Sequence, residues 1–276
     1  NRHFDDGFNR YERLNLWGQA FYYKTFETGD ILAVGYKFSI NQNKPNDTHK
    51  LERTYYAATD NTDLRNRFTD SYSKKIFHQL EAQYLFQLPN FWHIGPRANY
   101  RYSDDDNRAS IYQLEQLQMD GNDQLGWLPS TRDSLLVTLD AQNSFNQTIR
   151  QHRVVGGIMA QRSVKNSMIV VQLPLQWHKE NIDFQRAAID TTFTRYYTFF
   201  VPNIFLYQKG KKSWEVSIYS TPQQPTVSQI MPITDTTNPL AITISNPNLK
   251  TSTRHRMSGK IDIRCDSLNM NYYLQM

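Results

Sequence analysis

Apolar and polar residues alternate with a period of two along most of this 276-residue chain. Leu32, Val34, Tyr36, Phe38 and Ile40 stand against Ala33, Gly35, Lys37 and Ser39. Leu80, Ala82, Tyr84, Phe86 and Leu88 oppose Gln79, Glu81, Gln83 and Gln87. Ile94, Pro96, Ala98, Tyr100 and Tyr102 oppose His93, Gly95, Arg97, Asn99 and Arg101. The same reading covers Val137, Leu139 and Ala141, and then Val171, Leu173, Leu175 and Trp177 against Gln172, Pro174, Gln176 and His178. It returns in Met257, Gly259, Ile261 and Ile263, and last in Leu268, Met270, Tyr272 and Leu274. Alternation of this kind marks strands with one apolar and one polar side, and helical spacing is hard to find. The expectation is an all-β, antiparallel fold.

The runs are about 9 to 13 residues long, above the ~5–6 usual in soluble sheets and matched to the ~9–11 of a tilted membrane strand. Connections come in two sizes. Short ones fall at 89–90, at 209–212 and after Cys265; long polar ones are expected at 41–50, 59–71, 103–109, 114–132 and 221–254. Short turns on one rim and long loops on the other is the arrangement of outer-membrane barrels. Tyr22-Tyr23, Trp92, Trp177, Trp214 and Tyr272-Tyr273 stand near strand ends, as an interfacial girdle would. A soluble β-sandwich that binds carbohydrate also alternates in and out. The pattern leaves both architectures open.

Composition agrees with strands: 17 Tyr and 15 Phe give 13% aromatics. The net charge of +5, from 31 basic and 26 acidic residues, is dispersed along the chain. A nucleic-acid partner is therefore not expected, because its footprint needs clustered charge. The single cysteine, Cys265, excludes an internal disulfide and multi-cysteine metal sites. No apolar run approaches the ~20 residues of a membrane helix. Nothing marks a domain boundary, so residues 1–276 read as one continuous β-barrel region, an internal piece incomplete at both ends.

Candidate chemistry is sparse. Asp104-Asp105-Asp106 lacks the spaced ligands and glycine of a calcium loop. The seven histidines show no metal-ligand spacing, and no nucleophile elbow, phosphate-cradling glycine loop or His-Glu-x-x-His occurs. No catalysis, cofactor or metal is expected. Arg256, Lys260, Asp262 and Arg264 are different, since they share one face of one strand. On a soluble sheet they form the wet face; in a barrel they face the lumen and tune passage.

From Val201 to His255 the chain resembles the barrel region of Bacteroidetes-type outer-membrane receptors related to TonB-dependent transporters. The carrying residues are Pro225, Ser228-Gln229, Pro232, Asn238-Pro239-Leu240, Ile242, Ile244 and Asn246-Pro247-Asn248-Leu249-Lys250. Met231, Asn238, Ser245 and Thr251 depart from the family pattern; glycine in place of Ser245 would allow a positive φ. The resemblance implies part of a roughly 22-stranded antiparallel transmembrane barrel in the bacterial outer membrane. It implies outer-membrane lipid around the wall, and a TonB system acting through a plug outside this chain. It further implies a possible surface lipoprotein lid, and uptake of a bulky glycan, peptide or chelate. A barrel serving as adhesin, assembly factor or structural protein is the alternative. Residues 221–254 are expected to form an outward loop whose strand stub extends a membrane strand.

Overall fold

The computed structural model describes residues 2–117, 119–210, 212–231, 234–235, 243–246, 248–265 and 270–275. Among these residues eleven antiparallel strands form one sheet. They are β1 (Arg2–Thr25), β2 (Ile31–Tyr56), β3 (Asn61–Leu88), β4 (Trp92–Gln113), β5 (Phe145–Val164), β6 (Ser167–Arg186), β7 (Ile189–Phe200), β8 (Asn203–Gln208), β9 (Lys212–Gln223), β12 (Ser252–Cys265) and β13 (Met270–Gln275). Within the β9–β12 connection, β10 (Thr234–Asp235) and β11 (Thr243–Ile244) pair with each other. Two short helices, α1 (Arg132–Val137) and α2 (Val227–Ile230), lie in the two longest connections. The strand order is β1-β2-β3-β4-β5-β6-β8-β9-β12-β13, with β7 also against β6. Within the described residues this is a single open sheet, and the two-sheet sandwich is not the architecture.

The connections segregate by rim. Among the described residues, 26–30, 89–91, 165–166 and 209–210 turn at one end; those of 57–60, of the β4–β5 connection, of 187–188 and of the β9–β12 connection lie at the other. Several tight turns hold a non-glycine residue in the left-handed region: Asp60, Asn90, Phe91, Lys165 and Ala187. The expected long loops at 41–50, 59–71 and 103–109 are instead strand but for the turn at 59–60, which makes β1 to β6 20 to 28 residues long. Polar residues continue there on both faces, so hydropathy falls while the ladder pairing runs on, interrupted only at Lys44-Pro45 in these stretches. The turn after Cys265 lies outside the described residues.

A second correction concerns 135–141, expected as a strand. Arg132–Val137 is α1, because Thr131 caps it by accepting the Ser134 amide at 3.2 Å and Asp133 sits in its first turn. Of the stub expected at Ala241–Ile244, the described residues Thr243–Ile244 form β11, which among the described residues pairs with β10 and with no strand of the large sheet.

Register fixes the faces, since residues directly opposite share a side. One face carries Phe38, Leu80, Phe86, Tyr100, Ile158, Leu173, Trp177, Trp214 and Met257, and most of these are exposed; Leu173 is 45% and Ile158 59% accessible. On this face the apolar stretch runs from Trp92 to Tyr102 in β4 and from Ile169 to Trp177 in β6. Both are close to the ~9–11 residues of a tilted membrane strand. The opposite face presents Lys37, Glu81, Arg97, Asn99, Arg101, Arg153, Gln172, Gln176 and Glu215.

One bulge breaks the alternation. Between Asn43 and Asn46 the register of β2 shifts by one against both neighbours, so Lys44 and Pro45 oppose a single residue on each side. Proline has no amide to give the ladder and is at home in a bulge. Even-numbered residues of β2 hold the apolar face below it; Asp47, His49 and Leu51 take that side above. His49 therefore falls in line with Phe8 and Phe68, stacked on the first at 4.7 Å and tilted against the second at 4.6 Å between ring centroids.

The long connections cover what the strands expose at their rim. The 114–144 connection packs Leu114, Trp127 and Leu135 against Phe68 and Tyr112. Its returning limb is stitched down by Asp140, which accepts from the Gln113 and Asn143 side-chain amides, both at 2.7 Å. On the polar face Val227 and Met231 pack with Ile182 and Phe184, flanked by Ile149, Ile189 and Phe193.

Candidate functional site

The polar face groups its charges around β4, β5 and β6. Direct pairing aligns Gln79, Arg101, Arg153, His178 and Tyr197 in one row across five strands. The next row holds Glu81, Asn99, Val155 and Gln176, and the row after it Gln83, Arg97, Gly157 and Pro174. Glu81 lies 3.4 Å from Lys37 and 3.9 Å from Arg97. Glu180 is buried; it accepts from Arg195 at 2.7 Å and from Gln151 at 2.6 Å. Arg101 lies 4.5 Å over the Phe77 ring.

These rows bound a depression of about 250 Å³ lined by Gln79, Arg97, Asn99, Arg153, Gln172 and Gln176, with Asn203 beside them. Its floor is Gly157. A Cβ there would stand 2.6 Å from the Leu173 carbonyl oxygen and 2.7 Å from the Pro174 Cα, so only glycine lets β5 lie this close to β6. Arg97 is thus paired across the ladder with a position that carries no side chain. Five carboxamides supply donors and acceptors around two cations.

The β9–β12 connection reaches this face near the same strands. β7 and β8 are two parts of one path along β6, interrupted at Val201-Pro202; the Val201 amide donates to the Pro174 carbonyl at 3.1 Å. Beyond this break β9 pairs with β12, and no pairing with β7 occurs among the described residues. The segment 224–231 docks there. The side chain of Gln224 bonds His178 Nδ1 at 3.0 Å, and Arg195 donates to the Pro225 carbonyl at 3.3 Å. A second hollow of about 330 Å³ lies beneath it, between Asp105, Glu180, Arg195 and residues 224–228.

Of the motif residues singled out in the sequence, Asn238, Pro239, Leu240 and Pro247 lie outside the described residues. Asn246, Asn248, Leu249 and Lys250 lie in the β9–β12 connection. There the Asn246 amide donates to the Gln229 carbonyl at 2.8 Å, and the Asn246 side chain accepts the Asn248 amide at 3.0 Å. The Leu249 amide donates to the Asn246 carbonyl at 3.2 Å. Ser245 is held by its hydroxyl, which donates to the Ser228 carbonyl at 2.6 Å, and it is not among the residues of positive φ. The serine in place of glycine is thus a tether to the end of α2.

Register puts Arg256 opposite Tyr219, Lys260 opposite Glu215 and Asp262 opposite Ser213, all on the polar face. Arg264 pairs with Asn271. These four stand three strands and more from the arginine rows. Sequence alternation already put Arg97, Asn99 and Arg101 on a polar side. Arg153, Glu180 and Arg195 were missed, because only strand pairing shows which polar residues meet.

No family model matches the chain, and no curated protein matches it in sequence. Among solved structures, the translocator domain of the autotransporter NalP from Neisseria meningitidis is similar over 91% of this chain and 76% of that one, at 10% identity and a TM-score of 0.34. No residue role follows from a likeness at that level.

Proposed function

We propose that the chain is barrel wall of an outer-membrane receptor that takes up a bulky nutrient, in the manner of TonB-dependent receptors. One observation carries the reading: the same strands present an exposed apolar face about as tall as a bilayer core and a charged face on the reverse. In lipid the ladder bonds satisfy the backbone and the apolar face meets acyl chains; the charged face then lines a lumen. Arg256, Lys260 and Asp262 join that lining in β12. The motif around Asn246 to Lys250 supports the receptor class, and the connections at the long-loop rim would face outward. A plug and TonB supply the energy in this reading, and the chain itself performs no catalysis.

Cell fractionation with an added fold assay tests the membrane part. The protein is expected in the detergent-insoluble outer-membrane fraction, with an electrophoretic mobility that changes on boiling. Recovery in the soluble fraction without detergent sinks the barrel. For the transport part, ligand uptake by cells is expected to stop when TonB is deleted. Unchanged uptake would favour a barrel that does not use TonB.

A further inference from the structure

Like charges directly opposite in an antiparallel pair repel. Yet Arg101 and Arg153 are direct partners, and both have a buried Nε with no hydrogen-bond partner. Arg101 has the Phe77 ring beneath it, whereas Arg153 has no ion pair or hydrogen bond among the described residues. Among the described residues Arg97 meets one carboxylate, Glu81, which it shares with Lys37, and at the longer distance. The depression therefore holds more positive charge than its own acids neutralise. Around it stand Gln79, Asn99, Gln172, Gln176 and Asn203. Guanidinium groups match a carboxylate through paired, charge-assisted hydrogen bonds. Carboxamides, which both donate and accept, match vicinal hydroxyls.

We infer that this depression binds a carboxylate-bearing saccharide, with Arg97 and Arg153 on the carboxylate and the carboxamides on ring hydroxyls. Its volume of about 250 Å³ admits roughly one sugar residue of a longer chain. The Gly157 floor is what opens room for the ring. This names a ligand class for the polar face and rests on the receptor reading for the direction of transport.

Titration calorimetry on the full-length protein in detergent tests it, with trigalacturonic acid, neutral maltotriose and inorganic phosphate as probes. The uronate is expected to bind and the neutral sugar to bind at least about tenfold more weakly, the worth of one charge-assisted contact. Arg153→Gln and Arg97→Gln should each weaken the uronate by about tenfold and leave maltotriose unchanged. Lys179→Gln, an equal change of charge on the other face, should alter neither. Wild-type uronate affinity in both arginine variants overturns the assignment, as does equal binding of maltotriose. Phosphate that displaces the uronate at equal concentration overturns the saccharide part. Arg97→Gln decides the matter if Arg153→Gln fails to fold. Soluble wild-type protein would sink the receptor reading while leaving binding measurable, so the two failures are distinguishable.

Discussion

Ala187 sits at φ 52° in the two-residue turn between β6 and β7, a conformation that costs an L-residue about 1 kcal/mol and glycine almost nothing. Ala187→Gly is therefore expected to stabilise this hairpin by up to about 1 kcal/mol, and Ala187→Val to weaken it, read from urea unfolding midpoints. His49 offers a pH test. Burial between Phe8 and Phe68 pushes its pKa below the ordinary value, against a smaller opposing pull from Asp47. A depressed histidine pKa means the unfolded state binds more protons. The contribution is thus fully present above pH ~6.5 and is lost as pH falls toward the folded-state value. Proteolysis of the 114–144 connection should accelerate on acidification, and His49→Phe should flatten that dependence; an unchanged profile would show that His49 is not the titrating group. At this scale the sequence was legible only in part. Arg97, Asn99 and Arg101 announced their side by alternation. Arg153 became a site residue only through its pairing with Arg101, which depends on loop geometry that no local pattern encodes.

Elements were legible where hydropathy changed along them and illegible where it did not. Leu32–Ile40, Leu80–Leu88, Trp92–Tyr102 and Ile169–Trp177 alternate cleanly and are strand. Their continuations through Asn41–Lys50 and Asp104–Ala109 are strand as well, held by pairs such as Lys75 with Asp105. Polar residues on both faces erase the period-two signal without weakening the ladder. The opposite error occurred at 135–141, where a chance alternation outweighed the cap at Thr131. The connections act as fitted covers, so their anchors are testable one by one. Met231→Ala removes a buried side chain from the cluster with Ile182 and Phe184, at a cost of about 2–5 kcal/mol. That loss is expected to appear as faster cleavage at Lys250 and Arg254 in limited trypsinolysis, with the sheet itself unchanged. Equal cleavage rates in variant and parent would mean that segment 224–231 is not held by this cluster.

Across the whole molecule, two neighbouring positions of one strand separate the barrel from any soluble sheet. Leu173 points from the apolar face and Gln172 from the polar face of β6. Leu173→Arg is expected to destabilise folding into lipid bilayers by about 2–4 kcal/mol near the midplane, and Gln172→Arg to leave it almost unchanged. Folding yield into liposomes measures both, and equal tolerance at the two positions would contradict a lipid-facing side. The single sheet with its turns sorted to one rim was foreseeable from strand length and spacing. The sheet's division at Val201-Pro202, and the docking of 224–231 beside it, was not, because it comes from a proline break meeting a distant segment. The bulge at Lys44-Pro45 has a larger consequence than its one extra residue suggests. It makes β2 a text read in two phases: below it the even residues take the apolar face, and above it the odd residues take that side, His49 among them in the aromatic row. Deleting Pro45 would restore a single phase. The stretch beyond it would keep its partners, with Asn46 still opposite Tyr11 and His49 still between Phe8 and Phe68. A single codon thus sets the parity in which the far half of this strand is written, while every partner in the ladder stays where it is.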